Sequence, residues 1–250
     1  MEEENIYDRI EDIIGHFPQN LNILEEQIDI DLQMEYFEFS WNIKKDGVPV
    51  KILSMCSKLF DKDNSIENKR RLLVQLASIE KVEAYRSIEK YLADPDKELK
   101  DWAILAYQES RMVLQSKLLD ENQVFISTGL GGKGSSLRYF VVLINSSDIP
   151  FDSLQQRIIR NEFDFYLKKN EAELEEVNFT GHFCSLLVIV PIKTSIRDVL
   201  TAAVDECNEY GGFIRQNFLV TNVKKLTFEE INDFITRQED KDHNNKDKHK

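Results

Sequence analysis

The chain has 250 residues, 42% of them hydrophobic, which is enough for one large or two ordinary domains with a real core and excludes global disorder. No apolar stretch approaches the roughly 20 residues of a membrane helix, and the start, MEEENIYDRIEDIIGHF, lacks a secretory pattern, so the expected compartment is the cytoplasm. The net charge of −13 is concentrated at one end: residues 1–38 carry twelve acids against Arg9 alone, which repels a phosphate backbone and suits either a basic protein partner or a solvated helix face.

In chain order, Ile6, Ile10, Ile13 and Ile14 recur at helical spacing until Pro18. A second helix is expected over Leu21–Glu35. Phe37, Phe39, Trp41 and Ile43 then alternate with Glu38, Ser40 and Asn42, which predicts a strand or an extended arm. The three aromatics are expected in the core, with insertion into a partner as the alternative. After a turn at Lys45-Asp46-Gly47, Val50–Phe60 has a helix-length apolar pattern. Leu72, Leu73, Leu76 and Ile79 form one helical face, and Val82, Tyr85, Ile88 and Leu92 form the next. Asp94 and Pro95 suit the start of a third helix, with Asp94 accepting from free amides, which carries Leu99, Trp102, Ala103, Ala106, Met112 and Val113. Such short links require neighbouring helices to pack together.

The stretch EAYRSIEKYLADPDKELKDWAILAYQES, Glu83 to Ser110, resembles HEAT or armadillo-type helical repeats. An apolar helix is followed by a Leu-Ala-Asp-Pro-Asp turn and a helix that opens with charges and carries alanines on its packing face. The resemblance covers about residues 66–118, with Lys100 where that family usually has an arginine. It implies a scaffold surface for proteins or peptides and no catalytic residues.

Beyond Asp120 the period changes. Gln123–Ser127 and Leu137–Asn145 are β-rich. A helix is expected from Asp152 to Asn170, then two strands, Glu176–His182 and Phe183–Ile192, around Gly181. Ser195 caps a helix with the stripe Ile196, Val199, Leu200, Ala203, Val204 and Cys207, which Gly211-Gly212 stop. Phe218–Val223 is a last strand, and Thr227 with Glu230 makes a second capping box. From Leu137 the order β-α-β-β-α-β predicts a ferredoxin-like antiparallel sheet with helices on one face, preceded by one extra strand. The fold class is therefore α+β. A helical acidic domain is expected over 1–120, a ferredoxin-like domain over 121–237, and a polar tail without apolar residues over 238–250.

The glycine-rich loop between the first two of these strands holds Gly129, Gly131, Gly132 and Gly134, four of the nine glycines in the chain, and is the one local candidate for a ligand site. Its amides could turn toward an anion, with Lys133, Ser135, Ser136 and Arg138 adding donors and charge. A strand rather than a helix follows, and GxxxxGK[ST] is absent, so a hairpin connection is the favoured reading. His182 and Cys184 share a face if both lie on one strand, but no third group is suggested to orient a nucleophile. Cys56, Cys184 and Cys207 have neither disulfide-framework nor zinc spacing. No catalytic residue, metal or cofactor is expected. The function expected from these features is a non-enzymatic adaptor for a protein partner, without DNA or membrane. The alternative is a small-ligand or phosphate-binding protein or enzyme using residues 128–136. RNA binding through the sheet is disfavoured by the acidity and the missing aromatic signature.

Overall fold

The computed structural model describes residues 21–120 and 123–236. The expected first helix around Ile6–Ile14 and the tail from Gln238 lie outside them. The chain divides at Thr128–Gly129 into two compact units.

The helical unit begins with a strand, β1 (Leu21–Ile23), in parallel register with β2 (Val124–Ile126). The first part of the expected second helix is therefore a strand, because a partner about a hundred residues away supplies the ladder. The extra strand expected before the ferredoxin-like domain belongs to this unit. Helix α1 (Ile30–Asp46) starts at Asp29, whose carboxylate accepts from the Asp31 and Leu32 amides, and ends at Gly47 with φ 86°. It absorbs the segment 37–43 that alternation assigned to a strand. Its buried positions are Gln33, Tyr36, Ser40 and Ile43, a helical spacing that the alternating aromatics obscured. Gln33 explains its own burial: its Nε2 donates to the Ile28 carbonyl at 2.8 Å and the Thr128 carbonyl at 3.2 Å, tying α1 to the end of β2.

A 3-10 helix over Ile52–Leu59 replaces the regular helix expected there. Then come α2 (Ile66–Ala77), capped by Ser65, and α3 (Val82–Leu92). A 3-10 turn over Lys97–Leu99 leads into α4 (Lys100–Leu119). Asp96, not Asp94, organises this corner. Its Oδ2 accepts from the nearly buried Lys69 Nζ at 2.7 Å and from Tyr91 Oη at 2.6 Å. Lys69, and after it Tyr91, hold the Asp96 carboxyl below the usual carboxylate range. Trp102 is buried at the centre of the unit, donates Nε1–H to the Arg70 carbonyl at 3.2 Å, and carries the Arg70 guanidinium 4.0 Å over its ring. Helices α2, α3 and α4 all pack on one another around Leu73, Leu76, Ile88 and Leu105.

The second unit is α+β with an antiparallel sheet. Strands β3 (Gly132–Lys133), β4 (Ser136–Ile144), β6 (Phe183–Pro191) and β5 (Glu173–Thr180) lie in the order β3-β4-β6-β5, and β7 (Leu219–Thr221) pairs with β4 as well. Helices α5 (Ser153–Lys169) and α6 (Ile196–Glu209) complete the β-α-β-β-α-β order expected. Asp152 opens α5 with a full capping box to Gln155. Val141, Leu143, Cys184, Leu186 and Val188 face α5 and α6. Phe140, Val142, Ile144, Phe183 and Leu187 form a second apolar layer with Leu130, Leu219 and Ile231. Ile231 comes from a helix over residues 228–236, opened by the expected Thr227–Glu230 box. With both faces covered, β4 and β6 read as continuous apolar runs, whereas the edge strand β5 alternates.

Candidate functional site

The helical unit contains a cleft of about 250 Å³ between α1 and α4. Phe37, Ser40, Trp41 and Lys44 line it from α1, at helical spacings of three, four and seven residues. Leu105, Glu109, Met112 and Val113 face them from α4 on the same rule, and Phe125 of β2 closes one side. The Phe37 and Phe125 rings meet edge to face at 6.3 Å. The walls are thus aromatic and aliphatic, with one carboxylate among them.

That carboxylate is Glu109, whose side chain is 10% exposed. Its Oε2 accepts from Tyr36 Oη at 2.5 Å, and its Oε1 accepts from Ser40 Oγ at 2.8 Å and Lys44 Nζ at 2.5 Å. Burying a charge is costly unless it is paired and hydrogen-bonded, and these three α1 groups meet that requirement. Burial first, then the Glu109 charge, raises the Tyr36 phenol well above its ordinary value, so Tyr36 stays a neutral donor. Lys44 is 46% exposed and approaches from the rim. Trp41 is 71% exposed and Phe37 39%. Trp41 and Phe37 are therefore not the core residues expected, and both line the cleft instead. Chemically, the arrangement offers apolar contact around a fixed, oriented negative charge.

Sequence reasoning missed Tyr36, Ser40, Lys44 and Glu109. A helical reading of residues 36–44 would have placed Phe37, Ser40, Trp41 and Lys44 on one side. Glu109 also interrupts the apolar positions Leu105, Met112 and Val113 of its helix.

The glycine loop lies in the other unit. Gly134 and Ser135 form the two-residue turn of the β3–β4 hairpin, with Gly134 at φ 58°, and Gly131 also has a positive φ of 67°. Gly131 and Gly132 are buried, while Lys133, Gly134 and Ser135 are exposed. Lys133 Nζ pairs with Glu173 at 2.8 Å. Arg138 engages both Glu175 oxygens, at 2.6 and 3.0 Å, and its Nη1 donates to the Leu130 carbonyl at 2.7 Å. An anion arriving here competes with two carboxylates for both cations. His182 sits in the Gly181-His182 turn between β5 and β6, not on the strand face of Cys184. The Cys184 thiol is buried and pushed up by that burial, which leaves it protonated and inert as a nucleophile. Among the described residues, no group of three or more His, Cys, Asp or Glu side chains is placed to hold a metal, and no helix is long and apolar enough to cross a membrane.

No family model matches the chain, and no curated protein matches it. Among solved structures, it is similar to a Deinococcus radiodurans R1 protein provisionally described as a transposase, at 16% identity and a TM-score of 0.36, over 43% of this chain and 94% of that one. The adaptor expectation is corrected on this finding, since the neighbour's description names a transposase and not an adaptor or scaffold. Likeness at this level carries no argument for a DNA role either. In the helical unit, three mutually packed helices and a two-stranded parallel ladder close on one core.

Proposed function

We propose that the helical unit is a binding module for a compact, largely apolar organic molecule seated in the α1–α4 cleft. The observation that carries this reading is the contrast between the apolar lining and its one carboxylate. Phe37, Trp41, Leu105, Met112, Val113 and Phe125 present apolar surface around one largely buried carboxylate that three neighbours orient. Small-molecule sites characteristically combine apolar walls with a few convergent polar groups. An exposed Trp41 has no role in holding the core together, and its ring supplies contact area to a guest at little conformational cost.

The test uses N-phenyl-1-naphthylamine, a neutral apolar dye that fluoresces when removed from water, with the full-length protein. Binding is expected to enhance dye emission and to quench Trp41, whose signal is identified by comparison with Trp41→Phe. Val113→Trp fills the cleft and is expected to abolish the enhancement while the melting transition stays cooperative. Equal dye emission from wild type and Val113→Trp would remove the cleft as the binding site.

A further inference from the structure

We infer that the guest of this cleft is an organic ammonium, a compact hydrophobic amine whose N–H group takes the place of Lys44 on Glu109. The inference rests on the ligand-binding reading above and adds the charge class.

Three features of the cleft point to it. Glu109 is held by two different kinds of donor. Tyr36 Oη and Ser40 Oγ are neutral and come from buried positions of α1. Lys44 is the cationic partner, reaches in from the rim on a flexible stem, and is nearly half exposed. Released, its ammonium returns to water, where a lysine head is well solvated. The carboxylate then needs another cation, because a charge with so little exposure is costly to leave unpaired.

The aromatic walls supply the second argument. Phe37, Trp41 and Phe125 line the same cleft as Glu109. Ring faces carry negative potential and attract ammonium groups, most strongly where water is excluded. A carboxylate in a cleft lined by aromatic side chains is complementary to a cation with an apolar body.

The alternatives fit the charge less well. A neutral guest leaves the Lys44–Glu109 pair intact and gains only apolar contact. An anionic guest can draw Lys44 away, but it brings its own charge toward Glu109 in a site of reduced dielectric. Both become arms of the test. The binding step is a simple exchange of one ammonium for another on Oε1, with Tyr36 and Ser40 unchanged and no covalent step.

The experiment titrates the full-length protein with three probes of one body and different charge, followed by Trp41 fluorescence and calorimetry. They are 2-phenylethylammonium, neutral 2-phenylethanol and anionic 3-phenylpropanoate, which share the 2-phenylethyl body. The ammonium is expected to bind at least about tenfold more tightly than the alcohol, with the anion weakest. Lys44→Ala removes the resident competitor and is expected to tighten the ammonium about threefold or more, as any change does that raises the fraction of competent sites. The alcohol is expected to change less than the ammonium. Glu109→Gln is expected to abolish the preference for the cation. If that variant fails to fold, the Lys44→Ala arm decides. The inference is overturned if the ammonium binds no better than the alcohol, if the anion binds best, or if Lys44→Ala weakens the ammonium. Because the naphthylamine dye is uncharged, its cleft-dependent binding with no cation preference would leave the ligand-binding reading standing and remove only this one. Loss of dye and probes alike would remove both.

Discussion

Two tryptophans in one unit have opposite roles, and their exposure decides which. Trp102 is fully buried, shares edge-to-face contacts with Tyr36 and Phe39, and donates to the Arg70 carbonyl. Trp41 is 71% exposed. Trp102→Ala should therefore cost about 3–5 kcal/mol, while Trp41→Ala should stay within about 0.5 kcal/mol and affect dye binding instead. Urea unfolding of both variants checks this, and a large loss from Trp41→Ala would return that ring to the core. A second contrast separates the two cations of the glycine loop. The Arg138 side chain is 13% exposed, bidentate on Glu175, and bonded to a carbonyl. Arg138→Ala should cost about 2 kcal/mol, the size of hydrogen bonds to charged groups. Lys133 pairs with Glu173 in open solvent, and Lys133→Ala should leave the melting temperature where it was. Similar losses from both would contradict the ion-pair geometry described for this hairpin.

At the level of elements, what a segment becomes depends on whether its partner is near in sequence. Helices α5 and α6 follow their local signals closely. Asp152 and Ser195 cap them through the Gln155 and Asp198 amides, and the apolar stripes behind the caps are regular. Asp152→Ala should cost about 1 kcal/mol of stability, read as a shift in the denaturant midpoint with an unchanged slope. No shift would mean that burial alone sets the start of α5. Leu21–Ile23, by contrast, has no local reason to be a strand. It pairs with Val124–Ile126, and the Leu24 amide donates to the Ile126 carbonyl at 2.9 Å to extend the ladder. For α1, the alternation of Phe37, Phe39 and Trp41 misled because the helix buries polar Gln33 and Ser40 and turns Trp41 outward. A helix whose polar residues find buried partners loses the hydrophobic periodicity that identifies it.

Across the whole molecule, alkaline pH should act in one direction. Burial pushes Tyr139 up to about 12 and, with Glu162 and Glu206 adding to it, Cys207 up to about 12. Cys184 is raised by burial, and Tyr36 by burial and Glu109. These folded values lie above the unfolded ones, about 8.5 for thiols and about 10 for phenols. Their contribution is therefore complete below those unfolded values and is lost as pH rises through and beyond them. The urea midpoint should hold from about pH 7 to about pH 8.5 and fall steadily above about pH 9. Tyr139→Phe should flatten the upper part of that fall. A midpoint independent of pH up to about 11 would contradict the burial of these groups.

The sequence by itself determined the α+β class, the helical first half, and the β-α-β-β-α-β order of the second. Those features are written in local terms: caps, turn glycines, and apolar residues at the period of the element they form. Only the tertiary structure decided that β1 and β2 join across the helical unit, that Phe37–Ile43 is helix, and that Glu109 meets Tyr36, Ser40 and Lys44. The reason is physical. Glu109 stands about seventy residues from its partners, and in an acidic chain one glutamate differs from the rest only by where packing leaves it. The cleft exists because two helices distant in sequence are held side by side, so neither helix carries the site in its own pattern.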